Sequence, residues 1–424
     1  MKVLFISEYY PPKIMGGGEI NLELLATALA KKKVEVFVLT SHHAGLEKRE
    51  QRNGVTIYRR LKTGETPSGV VENVKRSFVF PRSIVEKAGI IIKEQNIDLI
   101  HFIGTSIIAA KEFKQFQIPL FATIESYPAL CPKGDRIFHG KKECTVKCSF
   151  TTFLSCQSDS PEIGKMKNEW YLKYNAPALS YIYNYYSKLN EALKYCNLIA
   201  ISGYVQGLLK QQGYESAVIP NALYVEKFST TINNEPRKNE RIKILYLGSL
   251  IRSKGAQVLA EAVQGVDCQV DMYGEGVLKE ELQQKIERGN LPITIHPPVP
   301  YSEIPSLYAQ ADIVVFSSLW PEPFGRIAIE AMAAGKPVIG SAIGGIKETI
   351  AEGTGILVEP GNVQQLREAI IMLMHNPALR KEMGKKGRKV VEELYAEEIV
   401  VERLIAVYRE KNEPLPAASC GVSR

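Results

Sequence analysis

Two glutamates, Glu322 and Glu330, border a short segment whose residue types could hold an extended anionic ligand. Residues 321–340 read PEPFGRIAIEAMAAGKPVIG. Prolines on both sides of Glu322 place it in a loop, and helical spacing up to Gly335 places Glu330 within a helix. Eight helical residues advance by roughly 12 Å. The two carboxylates are therefore too far apart to share a proton or a metal, but they could bind hydroxyls at the two ends of one ligand.

The start of this helix, near Gly325, lies between the two carboxylates. Its free backbone N–H groups and the helix dipole favour an anion such as a phosphate. A sugar, a diphosphate and a ribose in a row fit this layout. Spacing alone leaves a second interpretation open, in which both glutamates are ordinary acids of a loop and a helix surface.

The elements that must position these residues alternate between strand and helix. The chain opens with a strand, Lys2–Ser7, a glycine-rich loop, Pro11–Gly18, and a helix with an apolar stripe, followed by a second strand, Val34–Thr40. This order implies parallel strands joined by a right-handed crossover. Short apolar runs that we interpret as further buried strands follow at residues 99–103, 119–124 and 198–202.

The same pattern restarts at Ile242–Leu247, after a polar stretch at residues 230–240. Later strands are predicted near residues 269–273, 293–295, 313–316, 338–340 and 355–358. We therefore predict an α/β protein with two Rossmann-like, doubly wound domains that face each other across a cleft. A ligand is expected in this cleft, at the carboxyl ends of the strands.

The domain boundaries follow from this restart. We predict an N-terminal domain at 1–221 with a cysteine-bearing insertion at 131–156, a linker at 222–240, a C-terminal domain at 241–390, a C-terminal helix at 391–412 and a flexible tail at 413–424. The C-terminal helix is expected to pack back on the N-terminal domain.

Length and charge agree with two domains of unequal character. The chain has 424 residues, and residues 1–210 hold 29 lysines and arginines against 19 acids, a net charge of +10, while the remainder carries −3. A basic half could attract nucleic acid, an anionic membrane or a phosphorylated substrate. No nucleic-acid-binding module accompanies the charge, so nucleic acid is not expected as a partner.

The sequence shows no recognisable membrane span or signal peptide, so we expect a cytoplasmic protein. Apolar stretches such as residues 88–110 are interrupted by charges and fall short of a membrane span. The N-terminus lacks the features of a signal peptide, and seven cysteines, an odd number, favour a reducing compartment.

Many segments, in order, resemble glycosyltransferase family 4, a retaining family with the GT-B fold. The E-x₇-E spacing of Glu322 and Glu330 is the main point of likeness. The remaining similar segments, which span nearly the whole chain, are PPKIMGGGEINLELL, AISGYVQGLL, VIPNALYVEKF, GSLIRSKG, YGEG, YSEIPSLYAQADIVVFSS and GGIKETI. The resemblance implies an enzyme that uses a nucleotide-diphosphate sugar, with the donor held mainly by the C-terminal half.

The resemblance also implies roles for single residues. Glu330 would bind the ribose hydroxyls, Glu322 the hydroxyls of the transferred sugar, and the backbone of Phe324–Arg326 the sugar and phosphate. Lys254 matches the lysine that neutralises the diphosphate as the glycosidic bond breaks. Gly16 and Gly17 would let the backbone approach the β-phosphate closely.

Two positions depart from the family pattern. Ser249 stands where many members have an arginine that contacts the donor, and Arg252 in the same loop could substitute for it or be a solvated arginine. Glu125 stands where many members have a histidine near the reacting centre. Glu125 could bind a sugar hydroxyl or steady developing positive charge. His101, at the end of an earlier strand, is either a cleft residue or a satisfied strand-end histidine.

Four cysteines just beyond Glu125 form the pattern C-x₁₂-C-x₃-C-x₇-C: Cys131, Cys144, Cys148 and Cys156. A tetrahedral zinc or iron–sulfur site is one interpretation, although this is not a standard finger spacing. Disulfides and free thiols are the alternatives.

The absence of a D-x-D motif argues against a divalent metal on the diphosphate, so we expect no cofactor for catalysis. Resemblance implies retention of configuration through front-face attack.

The sequence does not identify the hexose-type sugar or the acceptor, which is expected to be a glycan, a lipid-linked or a phosphorylated hydroxyl compound. A tyrosine- and lysine-rich stretch at residues 171–195 indicates either a peripheral contact with an anionic membrane, at the inner membrane face, or ordinary core helices. A phosphorylase or sugar-phosphate synthase, and a non-catalytic or epimerase-like sugar-nucleotide-binding protein, remain alternatives.

Overall fold

The computed structural model describes residues 1–63, 70–140, 142–158, 175–228 and 241–412. The tail predicted at 413–424 and most of the predicted linker lie outside these residues. The strands are β1 (Lys2–Ile6), β2 (Glu35–Ser41), β3 (Arg49–Arg52), β4 (Val55–Leu61), β5 (Leu99–Ile103), β6 (Leu120–Ile124), β7 (Ile137–Phe138), β8 (Lys142–Glu143), β9 (Asn197–Ala200), β10 (Ser216–Val218), β11 (Ile242–Leu247), β12 (Cys268–Tyr273), β13 (Ile293–His296), β14 (Ile313–Phe316), β15 (Val338–Ser341) and β16 (Gly355–Val358).

The α-helices within these residues are α1 (Gly17–Lys31), α2 (Val70–Gln95), α3 (Phe150–Ser158), α4 (Ala176–Ala192), α5 (Gly203–Gln211), α6 (Ala256–Ala262), α7 (Lys279–Gly289), α8 (Ile304–Gln310), α9 (Arg326–Ala333), α10 (Ile346–Thr349), α11 (Val363–His375), α12 (Pro377–Leu394) and α13 (Glu397–Asn412). In the part of the chain so described, every helix is too short or too polar to cross a bilayer.

Eight strands form the sheet of the first domain, in the order β10-β9-β6-β5-β1-β2-β4-β3. All neighbours run parallel except β3, which pairs antiparallel with β4. The central strands β1, β5 and β6 are buried along almost their whole length, because helices cover both faces of a parallel sheet. The strand order reverses between β1 and β5, and the loops that follow these strands open at this switch point.

The second domain has six parallel strands in the order β13-β12-β11-β14-β15-β16. Counted from β11, this is the doubly wound order 3-2-1-4-5-6 of a Rossmann fold. Its switch point lies between β11 and β14. The prediction of two α/β domains with parallel sheets is confirmed.

The last helix returns to the first domain. α13 packs against α1, and four of its residues belong to the buried cluster that surrounds β1: Val400, Val401, Leu404 and Tyr408. The segment predicted as one helix at 391–412 is divided, since α12 ends at Leu394 and α13 begins at Glu397. The chain therefore crosses between the domains twice. The crossings lie side by side, because the backbone N–H of Leu223 donates to the carbonyl of Tyr395 at 2.8 Å.

Candidate active site

The switch point of the second domain brings Lys254 and Glu322 together. Lys254 ends a 3₁₀ turn that follows β11, and Glu322 lies in the loop after β14. The Lys254 Nζ donates to Glu322 Oε1 at 2.6 Å and lies 4.3 Å from the centre of the Trp320 ring. The Ser318 hydroxyl donates to the same carboxylate oxygen at 3.1 Å. The ammonium is thus held in one place by an acid and an aromatic face.

The backbone beside this pair depends on a glycine. Gly255 has a φ of +76°, and a Cβ at this position would collide with the carbonyl oxygen of Ser317. The close approach of the two loops therefore requires a residue without a side chain. This contact fixes the distance between the turn that carries Lys254 and the strand end that leads to Glu322.

Glu330 lies one turn into α9 and is almost fully buried. Its Oε1 accepts from Tyr301 at 2.8 Å and from the Nε of Arg326 at 2.9 Å, and its Oε2 accepts from Tyr308 at 3.1 Å. Arg326 also donates to the Tyr301 hydroxyl at 2.9 Å. The residue expected to bind ribose is thus already held by three side chains. Tyr301 and Tyr308 lie in the family-like segment YSEIPSLYAQADIVVFSS, but no role was predicted for either of them from the sequence.

Arg326 lies where the two domains meet. A Cβ added to Gly17 would be 3.3 Å from the Cδ of Arg326, so the glycine loop of the first domain faces the start of α9. The Nη1 of Arg326 is buried and has no hydrogen-bond partner among the described residues. Phe324 is buried and Gly325 precedes the helix with a φ of +126°. An unpaired guanidinium nitrogen beside a helix N-terminus is suited to bind an anion.

Glu125 follows β6 and lies on the first domain's side of the cleft, half-buried. Its Oε1 accepts from the Nδ2 of Asn21 at 3.2 Å, and a Cβ at Gly18 would collide with its carboxylate. Burial, helped by the nearby charge of Glu19, raises the pKa of Glu125 to about 7, against the lowering effects of Asn21 and Arg326. The carboxyl therefore changes its protonation state near neutral pH.

Asn21 holds Glu125 in position. It lies in the family-like segment PPKIMGGGEINLELL, but no role was predicted for it from the sequence. This asparagine is buried in α1, and its Oδ1 accepts from the backbone N–H of Ala222 at 3.0 Å. One amide therefore connects the carboxylate of the cleft to the segment that leads out of the first domain.

Three contacts join the facing loops, all outside the sequence prediction. The Tyr127 hydroxyl donates to the carbonyl of Pro321, and the Ser202 hydroxyl to the carbonyl of Pro323 at 2.6 Å. The backbone N–H of Gly203, at the start of α5, donates to Glu348 at 2.8 Å. The loop that carries Glu322 is therefore held from both sides by the first domain.

Ser249, which departs from the family pattern, and Arg252, its possible substitute, both lie after β11. Ser249 is half-buried in the loop after β11, and its carbonyl accepts from the Tyr246 hydroxyl at 3.4 Å. Arg252 is half-exposed and pairs with Glu281 of α7 at 3.0 Å. Gly16 is exposed at the start of α1, and its backbone N–H donates to Glu19 at 2.9 Å.

His101 is a core residue, so its placement in the cleft is wrong. The ring is fully buried in β5, between Thr123 of the next strand and Tyr408 of α13, and both ring nitrogens are hydrogen-bonded to these hydroxyls. Burial lowers the pKa of His101 to about 3. The satisfied histidine was the correct alternative.

The four cysteines of the insertion do not form a finished metal site. All four are free thiols, and within the described ranges no three His, Cys, Asp or Glu side chains stand close enough together to hold an ion. The disulfide alternative is likewise not formed.

Family descriptions match both halves of the chain. Residues 15–227, half of the chain, match Glycosyltransferase Family 4, and residues 228–390 match Glycosyl transferases group 1. A glycosyltransferase of Methanocaldococcus jannaschii is 25% identical over 396 residues, which cover 92% of this chain and 93% of that protein. A D-inositol 3-phosphate glycosyltransferase of an Arthrobacter species is 32% identical over 157 residues, which cover 34% of this chain and 37% of that protein.

Solved structures share the architecture. Sucrose-phosphate synthase from Thermosynechococcus elongatus superposes with a TM-score of 0.74 at 22% identity, over 96% of this chain and 98% of that one. The HepE protein of Anabaena in complex with UDP-glucose superposes with a TM-score of 0.68 at 18% identity, over 97% and 100%. The two facing domains thus have the GT-B fold, and the chain belongs to glycosyltransferase family 4.

Proposed function

We propose that this glycosyltransferase moves a hexose-type sugar from a nucleotide-diphosphate sugar to a hydroxyl acceptor, with retention of configuration and without a catalytic metal. The observation that carries the proposal is the position of Lys254. Its ammonium lies at the switch point, beside Glu322 and on the same side of the cleft as the start of α9. A fixed cation at this place can stabilise a leaving diphosphate in the way a metal would.

The donor would lie along the second domain. Its diphosphate fits between the unpaired Nη1 of Arg326, the start of α9 and the glycine loop at Gly16 and Gly17. The ribose would bind at Glu330, where its hydroxyls replace one of the tyrosine hydrogen bonds, and the sugar would bind at Glu322. The HepE structure in complex with UDP-glucose supports a donor of this class.

The reaction would proceed on one face of the sugar. The bond between C1 and the diphosphate oxygen breaks, and its electron pair stays on the phosphate beside Lys254. The acceptor oxygen forms a bond to C1 from the same face and passes its proton to the leaving phosphate. Ionised Glu125, on the first domain's side, would stabilise the positive charge that develops on the sugar ring.

The acceptor would reach this centre from the first domain. Two adjoining grooves between α2 and α4, of about 280 and 330 Å³, share Ser77. A smaller pocket that includes Glu125 also shares Pro128 with the first groove. Beside the second groove lie Phe78, which is largely exposed, and three cations: Arg82, Lys111 and Lys188.

The tyrosines of residues 171–195 would then have a structural role instead of the membrane contact considered from the sequence. Tyr171 and Tyr174 lie outside the described residues, and the hydroxyls of Tyr181 and Tyr183 donate to backbone carbonyls at 3.0 and 3.2 Å. The Tyr181 ring therefore forms part of the wall of the first groove, and the Tyr183 ring packs against Phe150 and Phe153 of α3. The exposed phenylalanine and the cations are better suited to a lipid-linked or phosphorylated acceptor at an anionic membrane surface.

The test is the release of free nucleoside diphosphate. A thermal-shift panel of sugar nucleotides selects the donor, and the selected donor is incubated with glycan, phosphorylated and lipid-linked hydroxyl acceptors. We expect nucleoside diphosphate to appear only with an acceptor, in the presence of a chelator, and NMR of the product to show the anomeric configuration of the donor. Donor binding without release for every acceptor class would favour a non-catalytic protein, and an inverted product would refute the mechanism.

A further inference from the structure

Four thiols from separate parts of the insertion line one small cavity: Cys131, Cys144, Cys148 and Cys156. The first lies in a turn after β6, the next two lie in the loop between β8 and α3, and the last lies in α3. The other two described cysteines, Cys196 and Cys268, do not line it. The cavity encloses only about 10 Å³, which is room for one small sphere and not for a cluster of several atoms.

Donors point at one of the sulfur atoms of this cavity. The backbone N–H of His139 donates to the Cys156 Sγ at 3.3 Å, and the Nζ of Lys133 lies 3.5 Å from the same atom. Thiols accept hydrogen bonds only weakly, whereas such donors commonly surround metal-bound thiolates.

A buried cation lies beside the thiols. Arg136 is 2% exposed, and its guanidinium donates to the backbone carbonyls of Leu130 and Cys144. Among the described residues its Nε has no hydrogen-bond partner, and the adjacent carboxylate, Asp135, pairs with Lys133 at 3.3 Å. A buried charge without a counter-charge is costly. A negatively charged group in the adjoining cavity would remove this cost.

We propose that Cys131, Cys144, Cys148 and Cys156 bind one Zn²⁺ ion as a structural site. Each thiol loses one proton to solvent, so four thiolates and one Zn²⁺ give a centre of charge −2 beside Arg136 and Lys133. Four sulfur ligands in a tetrahedron are the usual set for structural zinc. The thiols have to move inward to reach the ion, and half-buried Cys148, in the loop between β8 and α3, has the most freedom to do so.

The ion would stabilise the wall of the cleft. The backbone N–H of Cys131 donates to the carbonyl of Tyr127 at 2.8 Å, and the Tyr127 hydroxyl in turn donates to Pro321, next to Glu322. Zinc would thus hold the loop between Glu125 and α3 in the shape that contacts the second domain. This role does not depend on the donor or acceptor proposed above.

Elemental analysis of the full chain, purified without chelator, tests the proposal. We expect about one zinc per chain, released by a mercurial reagent in step with the titration of four thiols. Cys148→Ser should lose most of the zinc and lower the melting temperature. Cys196→Ser, a half-buried cysteine outside the cavity, should keep the full amount of zinc.

Several results would overturn it. These are less than about 0.2 equivalents of zinc in the wild-type chain, iron in place of zinc, or disulfide-linked peptides from residues 131–156 in mass spectra. If Cys148→Ser does not fold, the metal content of the wild-type chain and of Cys196→Ser still decides the matter.

Discussion

The two sides of the cleft differ in how their charged groups are satisfied. On the second domain's side, Lys254 pairs with Glu322 and Arg326 pairs with Glu330, at 2.6 and 2.9 Å. On the first domain's side, Glu125 has the neutral amide of Asn21 as its one hydrogen-bond partner among the described residues, and the grooves behind it are open.

This difference shows where each half carries its specificity. A side whose cations and acids already hold one another is preorganised for one ligand with fixed charges, such as a nucleotide diphosphate. A side whose Glu125 has a neutral amide as its hydrogen-bond partner, next to an open groove, can accept different partners. Substitutions on the second domain's side should therefore have large, uniform effects, and substitutions on the first domain's side should have smaller effects that depend on pH, salt and acceptor.

The largest effect is expected for Lys254→Ala. Among the described residues, Lys254 is the only cation that pairs with Glu322. We expect a loss of about 10³-fold in kcat, the upper range for one lost electrostatic stabiliser. Steady-state kinetics at matched melting temperature measure it. Lys279→Ala, which breaks an exposed ion pair with Glu275 in the same domain, is the matched control and should keep full activity. Near-normal turnover in Lys254→Ala would show that catalysis does not depend on the fixed charges of the second domain's side.

Glu330→Gln is expected to act on stability as well as on binding. The substitution leaves the largely buried Arg326 without a negative partner, so we expect a loss of about 3 kcal/mol in the free energy of unfolding. Urea denaturation measures this loss, and isothermal titration with the nucleoside diphosphate should show weakened affinity. Unchanged stability would mean that the Arg326–Glu330 pair is not formed in solution.

Glu322→Gln should separate binding from chemistry. Because its proposed contact is with the transferred sugar, we expect about a 100-fold lower kcat with nearly unchanged affinity for the bare nucleoside diphosphate. The two quantities are measured by kinetics and by titration. An equal loss in both would place Glu322 on the diphosphate instead.

Glu125, on the first domain's side of the cleft, should make kcat depend on pH. With its pKa raised to about 7, the carboxylate that the mechanism uses forms as the pH rises through neutrality, so kcat should increase about tenfold between pH 6 and 8. Glu125→Gln should be slow and independent of pH over this range. A wild-type profile that is flat from pH 6 to 8 would remove Glu125 from the reaction.

The ionisation of Glu125 affects stability with the opposite sign: kcat should rise with pH, whereas the free energy of unfolding should fall. Folding raises the pKa of this group above its unfolded value, so its contribution to stability is complete at low pH and is lost as the pH rises toward 7. Glu125→Gln should therefore flatten the stability profile between pH 5 and 7. Thermal unfolding across this range is the measurement.

The smallest effect is expected in the acceptor groove. Lys188→Gln removes a cation whose Nζ lies 5.8 Å from the exposed Phe78 ring, and binding to acidic vesicles should weaken by about 1 kcal/mol at low salt. Sedimentation with acidic and neutral vesicles measures it, with Lys389→Gln, on the exposed surface of α12, as control. Equal partitioning of the wild-type chain to both vesicle types would favour a soluble acceptor.

The strands of the second domain could be read closely from the sequence, because apolar runs bounded by turns leave little ambiguity. The predicted bounds of Ile242–Leu247, Ile313–Phe316 and Gly355–Val358 are those of the structure. β3 and β4 were missed because β3 is wholly polar and β4 contains Arg59. That arginine is fully buried, and its Nη2 donates to Glu50 and to the carbonyl of Pro11. This partial compensation is invisible in a hydropathy pattern.

Contacts between residues far apart in the sequence limited how much of the site could be predicted. His101 could not be assigned to the core from its own neighbours, since one of its hydroxyl partners, Tyr408, is 307 residues away. The contacts of Tyr127 and Ser202 with the loop of Glu322 end on backbone carbonyls. A bond to a carbonyl makes no demand on residue type at the accepting position, so no motif records it.

The paired crossings at Leu223 and Tyr395 have a mechanical consequence. Two chain segments connect the same two domains at neighbouring points, so both act as hinges. The line through them becomes the axis of any rotation of one domain relative to the other. Twisting one domain against the other would stretch one crossing and compress the other. The cleft should therefore open and close along a single arc, and each closure should return Arg326 to the same glycine loop.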